Sequence, residues 1–319
     1  MPRRFPVPLL AAGLLALAPL AVAACGDDGG EAGGGSALSG SIVVDGSSTV
    51  APLTSAAAEA FNGENPDVNV DVRTSGTGGG FEVFCTGETD ISDASRAIKD
   101  EEVAACTKGG VEYTEVRVAS DGITVVTGAD AEVGTTCLTL DQLKTAWAPD
   151  SKVGNWKDID PSFTDVKLSL AGPGSQSGTY DFFNEEVLGE DAQGETVEPR
   201  QDYSASEDDN VTVRAVTGAE AGMGYFGYSY FAENQGQLKA FELDGGSGCV
   251  APSPETITGG EYPLSRPLFI YVSKSALERP EVKGFVRYYV QNAVRLAEEQ
   301  RFVPAPQDAL DASLAAIPE

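Results

Sequence analysis

The sequence predicts an α/β protein of about two domains with mostly parallel sheets, and three observations predict it. At 319 residues the chain is long enough for about two domains. Short apolar strands alternate with amphipathic helices, the pattern of parallel α/β sheets. Three strand-to-helix junctions share one grammar of glycine and hydroxyl residues: Gly46-Ser47-Ser48-Thr49, Gly76-Thr77-Gly78-Gly79 and Ser177-Gly178-Thr179. In such sheets ligands sit at the carboxyl ends of the strands, where these turns lie.

Residues 1–24 read as an export signal, with Arg3 and Arg4 as its charged region and Leu9 to Ala21 as its apolar core. The apolar part is too short for a membrane span. Val22-Ala23-Ala24-Cys25 is the small-residue cleavage site, and residues 25–40, rich in glycine and acid, form a flexible tether. Ser41 to Val44 is a strand. The helix after it starts at Val50, carries Leu53, Ala57, Ala60 and Phe61 on one face, and ends near Gly63. Val68 to Arg73 alternates as a strand, and Phe81, Val83 and Phe84 begin the next helix. After Asp90–Arg96 comes a helix holding Val103, then two strand-like runs, Val111 to Val118 and Ile123 to Thr127.

Thr139 opens a helix, Trp147 and Trp156 bracket a loop, and Val166 to Ala171 is a strand leading into Gly172–Phe183. There Ser177 sits at the N-cap of a helical run, Tyr180 to Leu188. Ser204 to Asn210 precedes a helix through Val211 and Val216. Gly222 to Tyr228 is a buried strand, Pro263 to Val272 another, and Val282 to Gln300 one long helix.

Composition removes several functions. With 21 Lys+Arg against 49 Asp+Glu the formal charge is −28, a field that repels nucleic acid and anionic lipid. There is no histidine, which removes Ser-His-Asp and Cys-His catalysis and His-ligated metal sites. Beyond Cys25, four cysteines in an exported chain allow three pairings. Cys85–Cys106, a short loop, with Cys137–Cys249, a long one, is preferred. No CxxC spacing occurs, so no metal site and no cofactor is expected.

Each of the three turns pairs hydroxyls with a helix N-terminus, where free N–H groups and the helix dipole favour an anion. Three in one chain point to a small oxyanion held through neutral donors, a suitable device for an acidic protein. Arg96 is the candidate counter-charge, since guanidinium matches oxyanion geometry. A phosphate carrying a proton differs from sulfate in having a donor to offer, and Asp93, Asp208 and Asp209 are candidate acceptors for it.

The phrases DGSSTVAP, SGTGGGF, GETDISDASR, GPGSQSGTYDFF, SEDDNVTV and GMGYFGY occur in this order after residues that resemble a lipobox. From about Ser41 to the C-terminus the chain resembles the PstS family, the phosphate-binding lipoproteins of bacterial phosphate ABC importers. The resemblance implies a type II periplasmic-binding-protein fold, with two α/β lobes, two hinge strands and the anion in the cleft between them. It implies lipidation of Cys25 and phosphate contacts from Ser48, the backbone of Thr49, Thr77, Ser177, Gly178 and Thr179. Ser95 stands where many members place a phosphate-accepting aspartate, and Arg96 follows it. Pro173 stands where many members have an arginine, which leaves Arg96 as the guanidinium and the acceptor open between Asp93 and the Asp208–Asp209 pair. Asn210 adds a further contact, and the cysteine spacing agrees with the preferred disulfides.

The expected lobes are 40–120 with 266–319, and 121–265, hinged through Val116–Thr127 and Pro263–Val272. The expected function is phosphate capture on the outer face of the cell membrane, by a lipid-anchored monomer that serves permease subunits. A receptor for sulfate or molybdate and a sensory lipoprotein on the same fold are the alternatives. A phosphatase or serine hydrolase is disfavoured: Gly174-Ser175-Gln176-Ser177-Gly178 lacks the central serine of a nucleophile elbow.

Overall fold

The computed structural model describes residues 38–175, 177–193 and 196–318. The export signal, Cys25 and all but the last three residues of the tether lie outside them. Strands and helices alternate: β1 (Gly40–Gly46), α1 (Ala51–Glu64), β2 (Val68–Val72), α2 (Gly76–Phe84), β3 (Ile91–Ala94), α3 (Asp100–Gly109) and β4 (Tyr113–Gly128). Then come β5 (Cys137–Thr139), α4 (Leu140–Trp147), α5 (Trp156–Ile159), β6 (Ser169–Gly172), α6 (Gly178–Phe183), β7 (Ser204–Ala205), α7 (Asp209–Thr217) and β8 (Gly222–Gly227). The chain continues through α8 (Tyr228–Asn234), β9 (Leu238–Ala240), β10 (Glu242–Asp244), β11 (Cys249–Val250), α9 (Pro254–Gly259) and β12 (Ser265–Ser273). It closes with α10 (Pro280–Gln291), α11 (Ala293–Glu299), β13 (Val303–Pro304) and α12 (Gln307–Ala316).

β4 organises the sheets. Its first part pairs antiparallel with β12, from Tyr113↔Ser273 to Gly122↔Ser265. Its last part pairs instead with β8, from Ile123↔Gly227 to Val126↔Gly224. The order β2-β1-β3-β12-β4-β8-β6-β7 is therefore two sheets sharing one strand. Ser120, Asp121 and Gly122 read as a break in the sequence. They stay extended because Pro267, Arg266 and Ser265 of β12 pair with them. Tertiary pairing overrides their weak strand preference.

Each sheet is buried on both faces. One core joins Leu53, Ala57 and Phe61 of α1 to Val286 and Tyr289 of α10, over Ile42, Val44 and Ile270. A second, around Trp147, Trp156, Phe183 and Tyr225, lies against the other sheet, with Phe183 and Tyr225 stacked 3.8 Å apart. Smaller clusters cover the opposite faces. Thr139 opens α4 as the sequence predicts, and it does so in a capping box with Gln142.

Four further expectations change. The sheets are mixed rather than mostly parallel, because β12 and β4 run antiparallel to their neighbours. The helix α2 already begins at Gly76, so Phe81 and Phe84 end it and do not begin it. The long C-terminal helix is broken at Asn292, whose side chain donates to Tyr288 O (2.8 Å) and competes with the backbone for that carbonyl. The run after Ser177 is α-helical only to Phe183 and continues as a π turn, Asn184–Leu188.

Both preferred disulfides are formed, Cys85–Cys106 and Cys137–Cys249, at sequence separations of 21 and 112. The longer loop restrains more of the unfolded chain. Loop-closure entropy gives about 3 kcal/mol for the shorter and about 5 kcal/mol for the longer. Replacing Cys137 and Cys249 together by serine is thus expected to lower the urea midpoint further than the same change at Cys85 and Cys106.

Candidate functional site

The ends of β1, β2 and β3 and the start of β12 meet at a cavity of about 590 Å³. β1 ends in Gly46, whose φ is +142°, and a Cβ there would lie 2.1 Å from the carbonyl oxygen of Asp93. Only glycine fits. That carbonyl accepts the Ser47 N–H (2.9 Å), and Ser47 Oγ accepts the Thr49 N–H (3.2 Å). The turn this makes places Ser48 and Thr49 on the cavity wall.

The second turn is tied to the first through Asp45, whose Oδ1 accepts the N–H groups of Gly46 (2.8 Å) and Ser75 (3.0 Å). Thr77 Oγ1 accepts the Ser95 N–H (3.2 Å) and lies 3.1 Å from Ser95 Oγ. Thr77 and Ser95 both face the cavity. In the third turn Ser177 Oγ accepts the Thr179 N–H (3.2 Å), capping α6 as predicted. Gly178 packs on Thr49 so closely that a Cβ would lie 2.4 Å from Thr49 Oγ1. Ser177, Gly178 and Thr179 are not on the cavity wall. α6 and the π turn present Asp181, Phe182, Glu185 and Glu186 there instead.

Two guanidinium groups reach the wall. Arg96 spends both terminal nitrogens on Glu102, Nη1–Oε2 and Nη2–Oε1 each 2.8 Å, and Nη1 also donates to Ala97 O (3.2 Å). The Glu102 bonds raise its pKa. The second, Arg266, has no role in the sequence reading beyond membership of a strand. It is buried (8% exposed) and anchored on Asp121, whose Oδ2 accepts from Nε and Nη2 (3.3 Å each). Nη2 also donates to Thr49 Oγ1 (2.8 Å) and Gly178 O (3.1 Å), and the guanidinium lies 3.9 Å from the centre of the Phe182 ring. Among the described residues Nη1 has no partner, which leaves its two N–H groups to the cavity. β3 stops pairing at Ala94, opposite Phe269, so Ser265–Pro267 have an open edge, and all three line the cavity. A lone base in an otherwise apolar strand is the signal that could have found Arg266.

Of the candidate acceptors none lines the cavity. Asp93 is fully buried behind the first turn, where its Oδ1 accepts from Thr54. Asp208 caps α7 through the Asn210 N–H (2.9 Å) and also accepts from Asn210 Nδ2 (2.9 Å), which occupies both residues with each other. Burial, together with Asp208, lifts Asp209 to about 6, but it too stands off the wall. The acids on the wall are Asp181, Glu185 and Glu186, facing Arg96, Lys99 and Arg266. Desolvation, with Glu185 as a neighbour, raises Asp181 and Glu186, and Arg266 opposes it in both. Positive and negative groups are balanced here, so an anion would be held by aimed donors and not by net charge.

A PBP superfamily domain matches residues 31–293. Protein SphX of Synechococcus elongatus is 44% identical over 276 residues, covering 85% of this chain and 80% of that protein. The phosphate-binding protein PstS of Staphylococcus epidermidis is 37% identical over 294 residues, covering 91% and 86%. Among solved structures, one described as a possible phosphate binding protein from Planctomyces limnophilus superposes with a TM-score of 0.82 at 42% identity, covering 88% of this chain and 98% of that one.

Gly178 is a sensitive position because only the close approach of Thr49 forbids a side chain there. Gly178→Ala is expected to hold the two turns apart. The radius of gyration from small-angle scattering should rise above that of the unaltered protein, with the far-ultraviolet circular dichroism unchanged. Equal radii would mean that the contact does not hold the two turns together.

Proposed function

We infer the function from kinship: the chain belongs to the periplasmic-binding-protein superfamily and, within it, to the PstS family, and its architecture is the type II fold. It is a receptor that captures inorganic phosphate in the cleft and delivers it to an ABC importer. The observation that carries the reading is Arg266, a guanidinium anchored on Asp121, bonded to both the first turn and the third, with Nη1 left over for an anion.

In this reading the two halves, 40–120 with 266–319 and 121–265, act as lobes that swing about β4 and β12. The division falls where β4 exchanges β12 for β8 as its partner. Phosphate is held by Ser48, the Thr49 backbone, Thr77, Ser95 and Arg266, with Arg96 as a second positive group already half-neutralised by Glu102. The contact of Gly178 with Thr49 supports a closed arrangement, in which the Ser177–Thr179 turn lies against the first turn and the ion is desolvated. The acceptor for the phosphate proton belongs to the acids on the wall, Asp181, Glu185 and Glu186. Sulfate at neutral pH has no proton to donate to them and meets only their repulsion.

No reaction is catalysed. The protein works as a monomer tethered outside the membrane through lipidated Cys25, and its partners are the permease subunits. The signal-like N-terminus supports this anchor, and among the described residues no helix is long and apolar enough to cross a membrane.

Isothermal titration with phosphate, sulfate and molybdate tests the reading. Phosphate is expected to bind one to one while sulfate and molybdate give no heat. Heat from sulfate alone would transfer the function to another oxyanion. Arg266→Ala is expected to cost about 2–5 kcal/mol, roughly thirty- to several-thousand-fold in affinity. Because that change strands a buried Asp121, the paired variant Arg266→Gln with Asp121→Asn controls for folding. Arg96→Ala should cost less, about tenfold, since its charge is shared with Glu102.

A further inference from the structure

Asp93 sits at the centre of a buried polar cluster that the anion site does not use. Its side chain, Thr54 and Tyr289 are all fully buried. Thr54 Oγ1 donates to Asp93 Oδ1 (3.0 Å) and lies 3.1 Å from Tyr289 Oη, so that Tyr289, Thr54 and Asp93 form a donor chain from α10 through α1 to β3. Among the described residues Asp93 Oδ2 has no partner. The groups that face it are Asp45 from β1, Thr54 from α1 and Tyr289 from α10, and its partner on β12 is the apolar Ile270. The one charged group acting on it is thus another acid. A carboxylate here would be desolvated, carry one bare oxygen and face a like charge, which makes the neutral acid the favoured form.

The main chain of the same residue builds the binding turn. Asp93 O accepts the Ser47 N–H (2.9 Å), and Asp93 is the register partner of Gly46. Ser47 holds Thr49, and Thr49 receives Arg266. Whatever moves Asp93 therefore moves the first turn.

We propose that Asp93 is a positioning residue kept as a neutral carboxylic acid, and that loss of its proton loosens the first turn and weakens anion binding. Geometry and charge agree: burial, the largest effect, lifts the carboxyl to about 8, with Thr54 opposing and Asp45 adding to the rise. The sign follows from linkage. The unfolded chain gives up this proton near the ordinary aspartate value, so the stability contributed by the neutral acid is complete below about pH 4. It is lost progressively as pH rises to about 8. The binding part of the proposal rests on the phosphate reading, and the protonation part does not.

The test has two arms on the whole protein. Infrared spectroscopy without ligand should show a protonated carboxyl band at neutral pH that disappears near pH 8. The band should be absent from Asp93→Asn, and its midpoint should move to higher pH in Thr54→Val, which removes the donor favouring the charged form. In the second arm, phosphate association constants of the unaltered protein and Asp93→Asn are compared from pH 6 to 10. Their ratio cancels the ligand's own ionisation. It should fall by up to about tenfold per pH unit above pH 8, the limit for one linked proton. A missing band overturns the proposal, and so does a flat ratio. Gain of sulfate binding by Asp93→Asn would put Asp93 in contact with the ligand and overturn the positioning role. The band without phosphate binding by either protein would defeat the phosphate reading and, with it, the link to the turn.

Discussion

The ion pair between Arg266 and Asp121 is the constraint on which the site depends. The two residues face each other across the β4–β12 pair, at the point where β4 leaves one sheet for the other. A buried charge pair rarely adds stability over an apolar pair of the same shape, so its presence there calls for another role. Asp121 fixes the guanidinium and offsets its charge. Arg266 then reaches both turns at once, bonding Thr49 on one side and Gly178 on the other.

This arrangement suits a protein with a formal charge of −28. Its long-range field disfavours any anion, so capture rests on short-range, oriented donors in a cleft that excludes water. The two wall guanidiniums are each paired with an acid of their own, Glu102 and Asp121. Such a site offers geometry more than charge. In the proposed reading the same logic covers the acids opposite, Asp181, Glu185 and Glu186, which would turn away an anion that brings no proton.

Much of this was legible in the sequence, and the failures have physical causes. Local chemistry read well. Ser177 caps its helix, and Thr139 stands at the start of α4. The turn residues Ser48, Thr49, Thr77, Ser95 and Arg96 do converge on one cavity. What failed depends on residues distant in the chain. Ser120–Gly122 look like a break until β12 is laid beside them. Arg266 is one more strand residue until Asp121, 145 residues away, is placed against it. Asp93 and Asp208–Asp209 lie close in sequence to binding turns. Side chains alternate along a strand, and that of Asp93 goes to Thr54; that of Asp208 goes to Asn210, and Asp209 stands off the wall. The acids that do reach the wall sit on α6 and its π turn, where the shift out of α-helical geometry hides their facing from a 3.6-residue pattern.

The central claim is that Arg266 is the guanidinium that holds the anion. A crystal structure of the protein with phosphate tests it most directly. The account predicts tetrahedral density within hydrogen-bond distance of Arg266 Nη1 and the Thr49 backbone, with the Asp121 pair intact. Density held by Arg96 and Lys99, with Arg266 turned away from it, would contradict the account.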